Sequence, residues 1–138
     1  MVSRQEHDAR ARFADRYREE RVGVVQTIEC AVIGGDWGAN GYTTAAQADR
    51  IAERLELDPS SLLLDVGAGR GWPGLYLAAS TGCSVVLTDL PIEGLIVAAA
   101  RTRMDGLSER AWCVNASARD NPFRDATFDA VVHTDVLC

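Results

Sequence analysis

The sequence predicts an α/β protein: a doubly wound parallel sheet preceded by a helical lead-in. Three observations carry that prediction. From Leu62 onward, short apolar runs alternate with segments of helical period, the pattern of strands joined by crossover helices. The first run ends in a glycine-rich turn, Gly67-Ala-Gly69-Arg-Gly71, and a helical segment follows it. Ahead of Ser61, apolar residues recur at three- and four-residue steps instead.

From Arg10 to Ile33 those steps pick out Phe13, Tyr17, Val24, Val25, Ile28 and Val32 as one face of a single helix, stopped by Gly34 and Gly35. A second helix starts at Thr44, where Thr44-Ala-Ala-Gln47 has the form of a capping box, and it buries Ala48, Ile51, Ala52 and Leu55. Asp58-Pro59-Ser60-Ser61 reads as a turn. It divides a lead-in or lid, residues 1–60, from a core, residues 61–138. In the core, Leu62–Val66 is the first strand. A helix with Pro73 in its first turn runs to about Ala79 and ends at Gly82. Cys83–Thr88 is the second strand, with Asp89 at its tip. Pro91 opens a helix whose apolar face is Ile92, Leu95, Ile96 and Ala99 and which stops by Gly106. Ala111–Val114 is the third strand, residues 115–127 a loop, and Phe128–His133 the fourth strand. Parallel strands of this kind need covering helices and right-handed crossovers.

Composition excludes whole classes of function. The 138 residues make about one domain, with a formal charge of −6. All 14 basic residues are arginine. Without a lysine there can be no Schiff-base chemistry, no phosphate-binding loop ending in Gly-Lys-Ser/Thr and no kinase strand lysine. An acidic chain with no basic face is a poor partner for nucleic acid. No apolar run approaches the ~20 residues of a membrane span. Met1 to Arg21 mixes six arginines with five acids and has no apolar core, unlike a secretory signal. The four cysteines, Cys30, Cys83, Cys113 and Cys138, form no Cys-x-x-Cys pair, so reduced thiols and a cytoplasmic location are expected.

The chemistry gathers at Leu62-Leu-Leu-Asp65-Val-Gly67-Ala-Gly69-Arg-Gly71-Trp72. A strand that runs into glycines and then a helix brings backbone N–H groups to a ligand at the carboxyl edge of the sheet. The dinucleotide fingerprint Gly-x-Gly-x-x-Gly is not met, because Trp72 stands at its third position and Gly71 comes one residue early. Asp65 would repel a pyrophosphate but can help hold an ammonium group, directly or through water. A nicotinamide dehydrogenase is thereby disfavoured. Asp89, 24 residues beyond Asp65, ends the next strand where an acid accepts from a ribose diol. A ribose, an adjacent base and a cationic amino-acid end describe S-adenosylmethionine.

This spacing resembles the class I, Rossmann-like S-adenosylmethionine-dependent methyltransferases, whose first motif is an acid followed by Gly-x-Gly-x-Gly. Pro122-Phe123-Arg-Asp125-Ala-Thr-Phe128-Asp129 resembles the lead into their fourth strand, and Gly41-Tyr42-Thr43-Thr44 the segment that closes over the methionine end. The resemblance implies a cofactor site made of Tyr42, Thr43, Asp65, Gly67, Ala68, Gly69, Gly71, Asp89, Leu90, Ser117, Ala118 and His133. Ser117 occupies a place where the family often has Asp, which shifts adenine recognition toward the Ala118 N–H. His133 and Asp135 are the candidate catalytic residues, His133 as a general base or as pocket lining. Trp72 and Tyr76 read as helix-to-sheet packing and not as stacking groups. No metal is required. The acceptor is expected to be a small molecule, because His133-Thr-Asp135-Val departs from the Asn/Asp-Pro-Pro-aromatic run of base-amine methylating enzymes. The family sheet has seven strands and four are legible here. The expectation is therefore a chain truncated after its fourth strand, with an exposed edge prone to self-association and a cofactor half lacking a wall. The alternative is a non-catalytic remnant that binds cofactor or a partner.

Overall fold

In the computed structural model, which describes residues 3–19, 23–39 and 41–135, four parallel strands stand in the order β3-β2-β1-β4. They are β1 (Leu62–Val66), β2 (Ser84–Asp89), β3 (Ala111–Asn115) and β4 (Ala130–Val132). The helices are α1 (Arg4–Arg18), α2 (Gly23–Ile33), α3 (Ala45–Arg54), α4 (Gly74–Thr81) and α5 (Ile92–Met104).

Register decides which side chains share a face. Leu63, Val85, Ala111 and Ala130 stand side by side, and two residues on come Asp65, Leu87, Cys113 and Val132. The crossovers through α4 and α5 step the same way, so right-handedness sets both helices on this face. Leu63, Leu77, Val85 and Leu87 are completely buried there, and each contributes about 1.5–3 kcal/mol of transfer free energy. The chain then returns past β1 to form β4. That return, residues 116–129, lies over the opposite face, where Pro122 and Phe123 meet Leu64, Val66 and Thr88. The winding thus reverses beside β1, and a sheet of this kind binds ligands at such a reversal, beyond the carboxyl ends of its strands. Trp112 on β3 and Val131 on β4, the two edge strands, remain exposed on that second face.

Five expectations change. The helix predicted over residues 10–33 is two helices. α1 begins earlier, with Ser3 as N-cap and a reciprocal capping box to Glu6, and it ends at Glu19 in extended backbone. Its last carbonyls are taken by the Arg70 guanidinium, which donates to the oxygens of Arg16, Tyr17 and Glu19. The apolar stripe of α2 is not a buried face: Val24, Val25, Ile28 and Val32 are exposed, and Glu29 and Ile33 point inward. Glu29 turns inward because its Oε1 accepts the N–H groups of Trp37 and Ala39, both at 3.0 Å. On α5, Ile92 and Ile96 face solvent while Gly94, Leu95, Ala98 and Thr102 are buried. The small residues face inward because the helix lies against the glycine turn, and a Cβ on Gly94 would come within 2.9 Å of the Gly69 backbone. Strand β4 is shorter than predicted, because Phe128 leaves the sheet to make an edge-to-face pair with Phe123 at 4.9 Å. The α3 capping box forms in both directions, and Ala48 is buried; Leu55, its C-cap, is exposed. Cys30, Cys83 and Cys113 are free thiols, and Cys138 lies outside the described residues.

Candidate active site

The glycine turn is built on backbone that side chains resist. Gly67, Gly69 and Gly71 have φ of 74°, 52° and 101°, the left-handed region that glycine enters without a Cβ penalty. The N–H groups of Gly67 and Ala68 both donate to the Thr88 carbonyl, at 2.8 and 3.0 Å, and fold the turn against the end of β2. That brings it to Asp89. Gly69 N–H donates to Asp89 Oδ2 at 2.7 Å, and Leu90 N–H to Oδ1 at 2.7 Å. Burial nevertheless pushes the Asp89 carboxyl above its ordinary range, with the N–H groups opposing.

Asp65 is not on the cleft. It is fully buried on the helix-covered face, and its Oδ2 accepts the Gly74 N–H at 2.8 Å in the first turn of α4. The ammonium contact expected of it gives way to this anchor, because alternation along β1 points residue 65 at α4. Burial drives its carboxyl well above the usual value, the Gly74 bond opposing and the charge of Asp89 adding to the rise.

One wall of the cleft comes from the lead-in. Helix α1 lies across the strand tips, with Phe13 and Tyr17 facing Gly67, Asp89 and Leu90 around a cavity of about 230 Å³. Tyr17 Oη reaches Asp89 Oδ2 at 3.5 Å, Arg18 pairs with Glu93 on α5, and Glu6 accepts from Ser117 Oγ at 2.6 Å. A smaller space of about 60 Å³ continues along Gly67, Ala68 and Gly69 to Thr134 and Asp135. Together the two approach the lower end of the ~300–1,000 Å³ range of small-molecule sites.

Segment 41–44 closes the far end. Asp135 Oδ2 accepts Tyr42 N–H (3.1 Å), Thr43 N–H (3.2 Å) and Thr43 Oγ1–H (2.9 Å). Trp72 Nε1–H donates to the Thr43 carbonyl at 3.0 Å. Trp72 is itself held in an aromatic cluster with Trp37 and Tyr76, whose ring centroids lie 5.7 and 5.3 Å away. Trp72 and Tyr76 thus pack in an aromatic cluster with Trp37 of the lead-in, Trp72 stacking on Trp37, in place of the helix-to-sheet packing expected. His133 lies just past β4 and is exposed. Gly67, Ala68, Gly69, Asp89, Leu90, Thr43 and Asp135 are therefore brought together; Asp65 and His133 stand apart. Glu6, Tyr17 and Arg70 are the additions. Only Glu6 carried a signal, the Ser3-x-x-Glu6 spacing.

The residues present suit S-adenosylmethionine: an acid at the tip of β2, a glycine turn whose backbone is folded against that acid, and an apolar Leu90 beside it. Similarity to known proteins agrees. The family model described as a methyltransferase domain matches residues 64–138, more than half of the chain. A 24-methylenesterol C-methyltransferase from Oryza sativa subsp. japonica is 34% identical over 95 residues, which cover 69% of this chain and 26% of that protein. The solved structure of the cyclase SpnF has a TM-score of 0.61 at 31% identity, covering 78% of this chain and 44% of that one. An S-adenosylmethionine-dependent methyltransferase from Thiobacillus denitrificans, solved with S-adenosylhomocysteine, shares the fold with a TM-score of 0.59 at 20% identity over 67% of this chain and 37% of that one. The chain spans about a quarter of the length of its rice relative. Glycine turn, acid at the tip of β2 and sheet order meet in one family, and the chain belongs to it: the Rossmann-like methyltransferase domains whose cofactor is S-adenosylmethionine.

Proposed function

We propose that the protein transfers the methyl group of S-adenosylmethionine to a small-molecule acceptor. The observation that carries this reading is the Gly69–Asp89 hydrogen bond of 2.7 Å, which joins the glycine turn and the acid of β2 into one recognition surface. Asp89 accepts from the ribose diol, Leu90 lies along the base, and Ser117 with the Ala118 N–H meets the edge of the adenine. Gly67, Ala68 and Gly69 run beside the methionine end, with Tyr42 and Thr43 strapping it from above, while Gly71, expected there, is glycine for packing, since a Cβ on it would lie 2.5 Å from Leu75. Asp65 supports the turn from beneath. The bound cofactor supplies a methyl group already activated by the sulfonium charge. What remains for the protein is to align the acceptor and keep water out.

A further cavity of about 490 Å³ supports the acceptor class. It is lined by Val25, Ile28, Val32 and Ile33 of α2 with Tyr42, and it shares Gly41 and Arg70 with the space along the glycine turn. The apolar side of this cavity, whose lining also includes Arg16, Glu19 and Glu29, suits an acceptor with a hydrocarbon body, and the rice relative is named for a sterol. His133, exposed just past β4, does not border this cavity. The acidic charge of −6 disfavours nucleic acid. A cytoplasmic location is part of this reading, as is self-association through the β4 edge, where Val131 is exposed.

A second reading has one observation in its favour. SpnF, which shares this fold, is named a cyclase, so a chain of this fold need not belong to a methyl-transferring protein. Calorimetric titration with S-adenosylhomocysteine and with NAD tests the cofactor, and binding of NAD alone would overturn both readings. A radiolabelled methyl-transfer assay on a panel of apolar acceptors then separates transferase from cofactor-holding protein.

A further inference from the structure

The base of the donor presents an exocyclic amine, a group that only donates and so needs an acceptor. Residue 117, which the proposed site sets at the edge of the adenine, is serine. Its hydroxyl is already engaged: Oγ–H donates to Glu6 Oε1 at 2.6 Å, and the same oxygen accepts the Arg119 N–H at 3.2 Å. One lone pair of that oxygen remains, and the stronger acceptor at this spot is a carboxylate that arrives from elsewhere, on α1.

Glu6 is placed for that task by the helix itself. Glu6, Phe13 and Tyr17 are spaced seven and four residues apart, so they fall on one stripe of α1. Tyr17 and Phe13 border the cavity at Asp89 and Leu90. Eleven residues of helix rise, about 16 Å, carry the stripe on to Ser117. Glu6 Oε2 is held by the Ser3 N–H at 2.8 Å, which fixes the side chain from its own helix. Two of the ~four lone-pair sites of a carboxylate are then used, and the others are free to take N–H groups. The Ser117 hydroxyl first, with the Ser3 bonds, pulls the Glu6 carboxyl down to about 2, so it is charged at any physiological pH.

We propose that Glu6, carried on α1, is the acidic partner of the adenine amine and takes the place of a carboxylate at position 117. It is a cofactor-specificity residue, and it makes α1 part of the donor site. The inference rests on the proposed S-adenosylmethionine site and extends it.

Two ligands test it by calorimetry on the full chain: S-adenosylhomocysteine, and its analogue with unsubstituted purine in place of adenine, which lacks only the amine. The wild-type chain should bind the amine-bearing ligand about tenfold or more tightly, as a charge-assisted hydrogen bond gives. In Glu6→Gln that ratio should narrow several-fold. Circular dichroism should stay unchanged, because Gln completes a capping box as Glu does. In the double variant Glu6→Gln/Ser117→Asp the ratio should widen again. A folded Glu6→Gln variant with the wild-type ratio would overturn the inference and leave the donor site standing. Binding of neither ligand by the wild-type chain would overturn the donor site and the inference with it.

Discussion

The phenol oxygen of Tyr17 stands 3.5 Å from Asp89 Oδ2, the same oxygen that takes the Gly69 N–H at 2.7 Å. A residue of the lead-in, a residue of the glycine turn and the acid of β2 thus converge on one atom. A Cβ built on Gly69 would lie 2.7 Å from the Tyr17 hydroxyl. Gly69 is therefore glycine for its left-handed backbone and also because an aromatic side chain rests on it. The lead-in and the donor site are one unit, and changes on either side should register on the other.

Replacing Asp89 should separate recognition from folding. Asp89→Ala removes the proposed ribose acceptor and should weaken S-adenosylhomocysteine binding by about 1.5–3 kcal/mol, the worth of a charged hydrogen bond. It also strands the Gly69 N–H, so the melting temperature should fall. Asp89→Asn keeps one acceptor oxygen for Gly69 and should recover most of the stability but less of the affinity. Calorimetry and thermal melts on both variants check this, and full affinity in Asp89→Ala would remove the residue from the site.

The sheet was legible because its information is local. Apolar strands such as Leu62–Val66 announce themselves, and Gly82 and the Thr44–Gln47 box mark helix ends by chemistry that needs no tertiary partner. The glycine turn and Asp89 were legible through spacing. What failed depended on partners far along the chain. α1 and α2 read as one helix because Phe13, Tyr17, Val24 and Ile28 keep helical steps; nothing near Glu19 reveals that Arg70, more than fifty residues on, caps the break. Likewise α2 is apolar on one side, yet its inward face is set by Glu29 gripping Trp37 and Ala39. Asp65 has the position of a ligand-binding acid, and only the register of β1 shows that it faces α4.

Arg70 should behave as a clasp on α1. Its guanidinium is buried, donates to three carbonyls at the end of that helix, and lies over the Tyr17 ring at 5.7 Å. Arg70→Ala should cost about 2 kcal/mol and leave those carbonyls to water. Arg70→Lys should restore little, because an ammonium lacks the planar fork. Hydrogen exchange is the discriminating measurement: faster exchange in α1 with β1 and β2 unchanged is expected, and uniform acceleration across the chain would contradict a local clasp.

Acid stability should show two opposed slopes. The Asp65 pKa is raised by burial above its ordinary 3.8, so the folded chain binds its proton more tightly than the unfolded chain. Its contribution is favourable below 3.8 and is lost as pH rises through the raised value. Asp89, also raised by burial, acts in the same sense. Glu6 is lowered from 4.5 to about 2, so its stabilisation is present above 4.5 and fades as pH falls toward 2. Asp65→Asn cannot ionise and can still accept from Gly74. It should therefore match the wild-type chain near pH 4 and exceed it in melting temperature at pH 8. A wild-type advantage at pH 8 would show that the Asp65 charge is compensated.

Asp135 offers a choice between holding and reacting, and kinetics can make it. Its Oδ2 gathers three donors from Tyr42 and Thr43, and its backbone sits at φ 56°, in the left-handed region. A carboxylate so engaged acts as the clasp of the 41–44 strap. All three bonds are exposed, so water can replace them, and Asp135→Ala should lower stability by less than ~1 kcal/mol. The loosened strap should weaken S-adenosylhomocysteine binding about threefold to tenfold. Asp135→Asn keeps an acceptor oxygen and tolerates the left-handed backbone, so it should retain most of the affinity. A general base would give the opposite pattern: rate losses of about 10²–10⁴ in both variants, with affinity unchanged and the acidic limb of the pH–rate profile removed. Rescue by Asn together with an intact pH profile would identify Asp135 as the residue that positions the strap over the donor.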